Sequence, residues 1–414
     1  MRRFWIYIKN NTGLIEGFII DGKQIITAVI GSLITMLFGG SDYFLICFLF
    51  FVLVLIARTI VTVNDKNSFD LIKMIKRFKE EERWVDIIKV GYPISGQLWD
   101  NGYYKLRVEV GEILSEALNK VNQHEVVVTE VIMDIEYMAI MNLIDALGWT
   151  MFVLGKECAL AERNIEDGIN KAKCAIEEVE VKIKEARIEP KLDRVYIDKL
   201  TDLECQLTCL EAKGHRHLCG IYANRKDNSN FQREYEQVKI LCNQICTKLR
   251  GKYADYCYDI LLGCELAQVE AMLDEKKFND AIKYLDSIKS SYSSFANVVD
   301  KKLEKAHLLY ARIFCGLNQR ANAKEHIDKG LQLYKYGGRQ EYYARINMAG
   351  MEYILAHFKN VSTYEWGDKL NFKREINRYY KAGLGACMRS QNSLLVEEME
   401  KTKREALSCL KKIK

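Results

Sequence analysis

Cysteine and histidine residues cluster in one short stretch of this 414-residue sequence. The cluster consists of Cys205, Cys209, His215, His217 and Cys219. Thiolate and imidazole groups are the ligands that zinc prefers in tetrahedral protein sites, and the first two cysteines are one helical turn apart. The spacing therefore permits a zinc site. The alternative is buried structural packing, which we expect for Cys242 and Cys246, where the same spacing recurs.

Basic and aromatic residues alternate near the C-terminus, where residues 359–414 contain 13 Lys and Arg against 7 Asp and Glu. The central part of this section contains Lys373, Arg374, Arg378, Tyr379, Tyr380, Lys381 and Arg389. Cations beside aromatic rings suit a nucleotide or a single-stranded nucleic acid, because bases stack on the rings and phosphates pair with the cations. The alternative is a capping helix with a solvated basic face and buried tyrosines.

Motifs of the common enzyme classes are missing from the sequence. It contains no GxxxxGK[ST] phosphate loop, no HExxH zinc-protease motif and no GxSxG nucleophile elbow. We therefore expect no enzyme and no cofactor. The net charge of +5 is too small to indicate nucleic-acid binding by itself.

An apolar stretch covers residues 25–63, with Asp42 as its only charged residue before Arg58. Two glycines and Asp42 interrupt it, so we expect two helices joined by a turn. These form a transmembrane hairpin at residues 23–64, preceded by an interfacial segment at residues 1–22. Lys and Arg flank both ends of the hairpin and are missing from the turn. The positive-inside rule therefore places both ends, and the bulk of the chain, in the cytoplasm.

Small and polar side chains share one face of the first apolar helix. They are Gln24, Thr27, Gly31, Ser32 and Thr35. Such residues occur where helices pack closely in lipid, because the backbones can approach and the hydroxyl groups find partners. The alternative is that they line a water-filled pore when several copies assemble.

The turn between the two apolar helices has a distinctive sequence. Phe38, Gly39 and Gly40 precede Asp42, and a helix rich in Phe, Leu and Val follows. This pattern resembles the membrane hairpin of small phage holins. The resemblance implies a hairpin that oligomerises in the bilayer, and the expected location of the chain is a cell membrane.

Composition predicts an all-α body after the apolar stretch. Only two prolines, Pro93 and Pro190, occur in the chain, and helix-forming residues are abundant. The 13 cysteines have no disulfide-framework spacing, which indicates a reducing compartment. A polar stretch at residues 224–230 predicts a loop between two parts of a helical solenoid, at residues 68–225 and 230–358.

Two segments have the small and large residues that interlock in a pair of antiparallel helices. The first contains Ala271, Met272, Phe278, Ala281 and Leu285, and the second contains Ala311, Phe314, Ala323, Ile327 and Gly330. Both resemble degenerate tetratricopeptide repeats, and the segment around Arg83 and Trp84 resembles a third. The resemblance implies stacked helical hairpins with an extended surface for a protein partner. A basic helical cap is expected at residues 359–414.

These features together predict an all-α fold in which an N-terminal transmembrane helical hairpin precedes a tetratricopeptide-like α-solenoid. The function we expect first is a homo-oligomeric membrane protein whose hairpins form a pore or lesion, gated by the cytoplasmic array. Bacterial defence and toxin effectors often have this layout, which is an argument by analogy. The alternative is a membrane-anchored scaffold that recruits protein partners. The expected partners are the lipid bilayer, further copies of the chain, a protein on the solenoid, and a nucleotide or oligonucleotide.

Overall fold

The computed structural model describes residues 70–121, 124–128, 131–155, 158–188, 194–248, 252–291, 296–334, 340–358, 366–390 and 392–412. Nearly all of these residues are helical, which confirms the predicted all-α class. The described residues from Ile75 onward belong to one compact unit.

The first part of the described chain combines short helices with one β-hairpin. Residues 70–80 are helical. They are followed by α1 (Trp84–Asp100), α2 (Tyr104–Lys120), β1 (Glu125–Val128), β2 (Val131–Asp134), α3 (Ile135–Met141), the π-helix π1 (Asn142–Trp149) and α4 (Thr150–Val153). β1 and β2 pair antiparallel, and Val126 and Val128 are buried with the period of two that a strand requires. The hairpin was not predicted, and its run of β-branched residues accounts for it.

The rest of the described chain is an array of longer helices. They are α5 (Cys158–Ile188), α6 (Arg194–Arg225), α7 (Asn228–Lys248), α8 (Ala254–Asp274), α9 (Phe278–Ser291), α10 (Ala296–Gly316), α11 (Arg320–Tyr334), α12 (Gln340–Phe358), α13 (Trp366–Ser390) and α14 (Ser393–Lys412). Their apolar side chains gather on shared faces and form a series of hydrophobic cores along the array.

The even-numbered helices from α6 to α14 form one layer of this array. α6 packs against α8, α8 against α10, α10 against α12, and α12 against α14. The odd-numbered helices α7, α9, α11 and α13 each pack against the even-numbered helices that precede and follow them. This repeated arrangement is that of an α-solenoid, in which each helical pair buries its apolar face against its neighbours. The arrangement is consistent with the helical repeat that the sequence predicts.

Within the described residues the same turn joins successive helices at five points. In the turn between α1 and α2 the residue with positive φ is Gly102, at 77°. Glu82, Lys226, Lys276 and Asn318 have φ values between 54° and 60°. In each turn this residue's amide bonds to the carbonyl three residues back, and the next amide bonds to the carbonyl five residues back. This is a Schellman motif, which ends one helix and turns the chain toward the next. Its recurrence supports the helical pair as the unit of the fold.

Small residues lie where neighbouring helices cross, as the sequence predicts. Ala281 on α9, Ala311 on α10 and Ala323 on α11 are fully buried. A Cβ atom on Gly316 would lie 2.3 Å from the Phe278 ring, so α10 comes close to α9 only because this residue has no side chain. The interlocking that the sequence pattern indicates is therefore present in the core.

The loop predicted at residues 224–230 is a tight turn instead. α6 continues to Arg225 and α7 begins at Asn228. Asp227 Oδ1 accepts a hydrogen bond from the Asn230 amide over 3.1 Å, as a helix-capping carboxylate does. The prediction was wrong because Asn, Asp and Ser favour helix caps for the same reason that they favour loops.

The holin-like hairpin also requires correction. Within the described residues, no helix has both the length and the apolar character that a membrane crossing needs. Most helices of the array are amphipathic, with apolar residues on one face and charged residues on the other. The predicted hairpin at residues 23–64 and the segment at residues 1–22 lie outside the described residues. This finding contradicts the resemblance to holins, and the helical content of the described residues is consistent with a helical repeat.

Candidate functional site

A π-helix marks the junction between the first part of the fold and the array. π1 packs against α2, α5 and α6. A Cβ atom on Gly148 would lie 2.4 Å from Ile165 Cγ1, and one on Gly168 would lie 2.5 Å from Ile144 Cγ1, so glycine permits this close approach. π-helices are rare and often occur at functional sites. The polar side chains inside this junction therefore define the candidate site.

Asp145 on π1 is the centre of a buried charge cluster. Lys213 Nζ on α6 donates to its Oδ2 over 2.5 Å, and His217 Nε2 donates to its Oδ1 over 3.2 Å. Burial by itself raises the pKa of a carboxyl group. Here the Lys213 ammonium and the His217 hydrogen bond outweigh burial and hold the pKa of Asp145 well below its usual range. Asp145 is therefore an anion whose charge is balanced inside the protein.

Arg107 on α2 brings a further cation to π1. Its Nη1 donates to Thr150 Oγ1 over 2.8 Å, and Thr150 Oγ1 donates to the Asp145 carbonyl over 2.8 Å. The Thr150 amide bonds to the same carbonyl, which is the π-helical pattern. Arg107 Nε also donates to Ser95 Oγ on α1 over 3.4 Å. One polar network thus joins α1, α2, π1, α4 and α6.

His217 is neutral within this cluster. Burial, and then the Arg216 guanidinium, lower the pKa of His217 to about 3, although the bond to Asp145 acts in the opposite direction. Because Nε2 donates its proton to Asp145, Nδ1 is the acceptor for Arg216 Nη2 at 3.4 Å. The Trp149 ring stacks on the imidazole with 4.6 Å between centroids. Both ring nitrogens are therefore occupied by groups of the protein.

The cluster has the residue types of a catalytic dyad without its geometry. A His–Asp pair acts as a base when the second ring nitrogen faces a nucleophile or a substrate. In this protein that nitrogen faces Arg216. The arrangement instead holds π1 against α2 and α6 by charge pairs in a low-dielectric interior. Removing one member of such a pair typically costs about 3–5 kcal/mol, because it leaves an uncompensated buried charge.

His215 belongs to a second buried cluster on α6. Its Nδ1 lies 2.6 Å from Glu234 Oε2 on α7, and its Nε2 lies 3.9 Å from Glu211 Oε1. Burial lowers the pKa of His215, but the nearby Glu211 carboxylate and the hydrogen bond with Glu234 outweigh burial and raise the pKa above its usual value. His215 therefore connects α6 to α7 in a setting that favours its charged form.

The residues of the predicted zinc site all lie on α6 but do not form a ligand set. They are Cys205, Cys209, His215, His217 and Cys219. Among the described residues, no group of three or more Cys, His, Asp or Glu side chains could hold a metal ion. Residues two apart on a helix point about 200° from each other, so His215 and His217 reach different neighbours. The spacing that suggested zinc would need a loop at these histidines, and the chain is helical there.

Cys209 belongs instead to a group of neighbouring thiols that sequence reasoning missed. Hydrogen bonds with the Cys257 thiol, together with burial, raise the pKa of both Cys209 and Cys242. Cys242 Sγ lies 3.7 Å from the Cys257 carbonyl, and Cys246 packs at the edge of the same core. Cysteines buried in a core pack as small apolar side chains, in agreement with the packing alternative.

The residues predicted to bind a nucleotide lie on α13. Its exposed cations are Lys373, Arg374, Arg378 and Lys381, and Arg389 lies near the end of the helix. Tyr379 is 2% exposed and belongs to the core of the last helices. Lys403 Nζ lies 3.6 Å from the centroid of the Tyr380 ring. The cations are accessible on this helix, whereas the two tyrosine rings have partners within the protein.

A row of ion pairs crosses the even-numbered layer. The pairs are Arg216–Asp259 between α6 and α8 (3.8 Å), Lys305–Glu270 (2.9 Å) and Arg312–Asp274 (3.8 Å) between α8 and α10, Arg312–Glu352 (3.7 Å) between α10 and α12, and Arg345–Glu398 (3.9 Å) between α12 and α14. We name these the even-layer ion pairs. Their side chains are between 15% and 41% exposed, so they are within reach of a partner from solvent. Sequence reasoning missed them because the partners are far apart in the chain.

The residues predicted to pack membrane helices or to line a pore lie outside the described residues. They are Gln24, Thr27, Gly31, Ser32 and Thr35. Their role therefore stays a prediction.

The resemblances predicted from the sequence rest on short segments, namely a turn of a few residues and two helical pairs. The structure accounts for the helical pairs by packing alone, without a family assignment. No family model matches this chain, and no curated protein matches its sequence.

Proposed function

We propose that this chain is a membrane-attached scaffold whose helical array binds a protein partner. The observation that supports partner binding is the row of even-layer ion pairs, which is partly exposed across five helices. Five carboxylates face four cations in this row, and Glu341 adds a further carboxylate beside Arg345 at 3.0 Å. A partner with basic side chains would therefore complement the surface.

A charged side chain of a partner can replace one member of a partly exposed ion pair. An ion pair at a protein surface contributes only about 0–1 kcal/mol, so a partner can replace one of its members at little cost. The burial of the Asp145 cluster, by contrast, keeps the first part of the fold in place while the array binds. We propose that the array is the binding element and that the junction at π1 is structural.

Attachment to a membrane is the part of the proposal that rests on the sequence. Residues 25–63 contain a single charged residue before Arg58, and an uncharged segment of this length favours lipid over water. Lys and Arg flank the segment on both sides, so we propose a cytoplasmic location for the array at a cell membrane.

Charge reversal in the even layer tests partner binding. Asp274→Lys combined with Glu398→Lys changes two exposed carboxylates whose arginine partners have other acceptors. Quantitative mass spectrometry measures the amount of each protein that copurifies with the full-length chain. For the partner, we expect this amount to be about tenfold or more lower with the variant than with the wild type. Glu325→Lys with Asp328→Lys on α11 is the matched control, since it makes the same charge change in the odd-numbered layer. An equal loss with both variants contradicts the proposal.

A second function, a pore or lesion formed by several copies, is favoured by the small and hydroxylated residues between Gln24 and Thr35. Ion flux from liposomes containing the full-length protein separates the two functions. A pore predicts flux that falls when Thr27, Ser32 and Thr35 are each changed to Leu, whereas a scaffold predicts no flux above the lipid background. If the protein does not float with the liposomes in a density gradient, both the scaffold and the pore are contradicted.

A further inference from the structure

Helix α13 has one face in the core and the opposite face in water. Ile376, Tyr379 and Ala386 are at most 2% exposed. The exposed residues on the opposite side are Leu370, Arg374, Arg378, Lys381 and Met388. At 100° per residue these five side chains fall within an arc of about 80°, and we name this surface the α13 outer face.

The α13 outer face is basic. It contains three cations, and the exposed Lys373 borders it. Glu375 lies at its edge, where Oε1 is 3.7 Å from Arg378 Nη2. Among the described residues of α13, no carboxylate lies on the outer face itself. Charge complementarity therefore indicates an anionic partner.

A large apolar side chain lies at each end of the α13 outer face. Leu370 is 37% exposed and Met388 is 66% exposed. The helical rise separates them by about 27 Å, with the cations between them. Cations together with exposed apolar side chains on one helical face suit a lipid headgroup layer, which presents phosphates above hydrocarbon.

The aromatic rings that a single-stranded nucleic acid would use are not on this face. A Cβ atom on Gly350 would lie 2.7 Å from Tyr379 Cε1, so this ring is packed against α12. The Tyr380 ring is covered by the Lys403 ammonium. Base stacking on aromatic rings supplies much of the affinity for single strands. The geometry of α13 therefore favours lipid over nucleic acid.

We propose that the α13 outer face docks on an anionic bilayer surface. Arg374, Arg378 and Lys381 contact the lipid phosphates, and Leu370 and Met388 enter the boundary between headgroups and acyl chains. The inference rests on the membrane attachment proposed above, and it adds a second contact between this chain and lipid. The attachment through residues 25–63 keeps the array near the bilayer, so the α13 contact forms at a high effective concentration.

The test uses the full-length protein with vesicles of phosphatidylcholine, and with vesicles that also contain phosphatidylglycerol. Met388→benzoylphenylalanine places a photo-crosslinker on the outer face. Ile240→benzoylphenylalanine places the same group on α7, where Ile240 is 49% exposed. We expect lipid crosslinks from position 388 with the phosphatidylglycerol vesicles alone, and none from position 240.

Charge reversal on the outer face provides the second arm. Arg374→Glu with Lys381→Glu is expected to lower the crosslink from position 388 about tenfold or more, since each basic side chain near an anionic surface adds to binding. Lys283→Glu with Lys289→Glu on α9 is the matched control and is expected to leave the crosslink unchanged. All four lysine and arginine positions are exposed, so the variants are expected to fold, and an unchanged thermal midpoint verifies this.

Vesicle flotation separates this inference from the proposed function. Flotation with both vesicle types, without crosslinks from position 388, overturns the α13 contact and leaves the membrane attachment standing. Flotation with phosphatidylglycerol vesicles alone, lost when Arg374 and Lys381 are changed to Glu, supports the α13 contact and contradicts attachment through residues 25–63. No flotation with either type overturns both. Binding of a fluorescent single-stranded oligonucleotide that is lost in the same variant, without lipid crosslinks, assigns the face to nucleic acid and overturns the inference.

Discussion

Asp145 depends on partners that are distant in the chain. Lys213 lies 68 positions away and Arg107 lies 38 positions away. The carboxylate is stable in the interior only because these groups compensate its charge. Asp145 is the only charged residue between Glu136 and Lys156, and this isolation in an apolar run is the sequence signal that could have indicated a buried carboxylate.

Changing this carboxylate tests the cluster at the residue scale. Asp145→Asn leaves the Lys213 ammonium without its anion, and we expect the free energy of unfolding to fall by about 3 kcal/mol. We place the loss at the lower end of the usual range because the Lys213 side chain is 22% exposed. The double variant Asp145→Asn with Lys213→Met removes both charges. We expect its free energy of unfolding to fall less than that of Asp145→Asn alone. Urea unfolding of the two variants measures the difference, and a double variant as unstable as the single one contradicts the account.

A histidine pair between α10 and α11 predicts a pH dependence. The Nδ1 atoms of His307 and His326 lie 2.8 Å apart. Burial, and then the neighbouring His307, lower the pKa of His326 to about 4, and burial followed by Lys329 lowers the pKa of His307. An unfolded histidine titrates near pH 6.5. Between about pH 6.5 and 4 the unfolded chain therefore binds more protons, so stability is retained above this window and falls as the pH decreases through it.

Thermal unfolding as a function of pH measures this effect. His326→Gln is expected to make the fall in thermal midpoint between pH 6.5 and 4 less steep than in the wild type. His124→Gln is the control, because His124 is exposed. Equal steepness in the wild type and in His326→Gln would show that the pair does not titrate as proposed.

At the scale of elements, glycines decide how closely π1 and α5 approach. Gly168→Ala would place a Cβ atom 2.5 Å from Ile144 Cγ1 and 3.5 Å from Leu143 Cβ, both on π1. We expect a loss of about 1–3 kcal/mol from this overpacking, although alanine is the better helix former. Gly96→Ala on α1 meets no atom within 4 Å and is expected to gain up to about 1 kcal/mol. Denaturant unfolding compares the two variants. A gain in both would mean that π1 and α5 are not in close contact.

The whole molecule is an array in which each helical pair contacts mainly its neighbours. A substitution that destabilises one helical pair should therefore destabilise only the neighbouring pairs. Phe278→Ala removes the ring that covers Gly316 and is expected to speed hydrogen exchange in α8 to α11. Exchange in α1 and α2 is expected to stay unchanged. Peptide-resolved mass spectrometry measures both regions, and a uniform increase along the chain contradicts the repeat architecture.

The helical class and the pairing of neighbouring helices follow from the amino-acid sequence. Two prolines and abundant helix formers permit long helices, and small residues such as Ala281 and Ala323 mark the crossings within the array. These features are local, because helix formation and the packing of consecutive helices involve residues that are close in the chain. Local composition also gave one wrong prediction: the helix-capping residues around Asp227 have the composition of a loop.

The contacts between polar groups, by contrast, are set by the fold. The sequence placed His215 and His217 together as one candidate ligand set, whereas folding gives each a different carboxylate, Glu234 and Asp145. The π-helix, the even-layer ion pairs and the burial of Tyr379 likewise depend on contacts between segments that are distant in the chain. The physical reason is that a charge in the interior is stabilised by whichever groups the fold brings within a few ångströms, and sequence spacing contains no information about those distances.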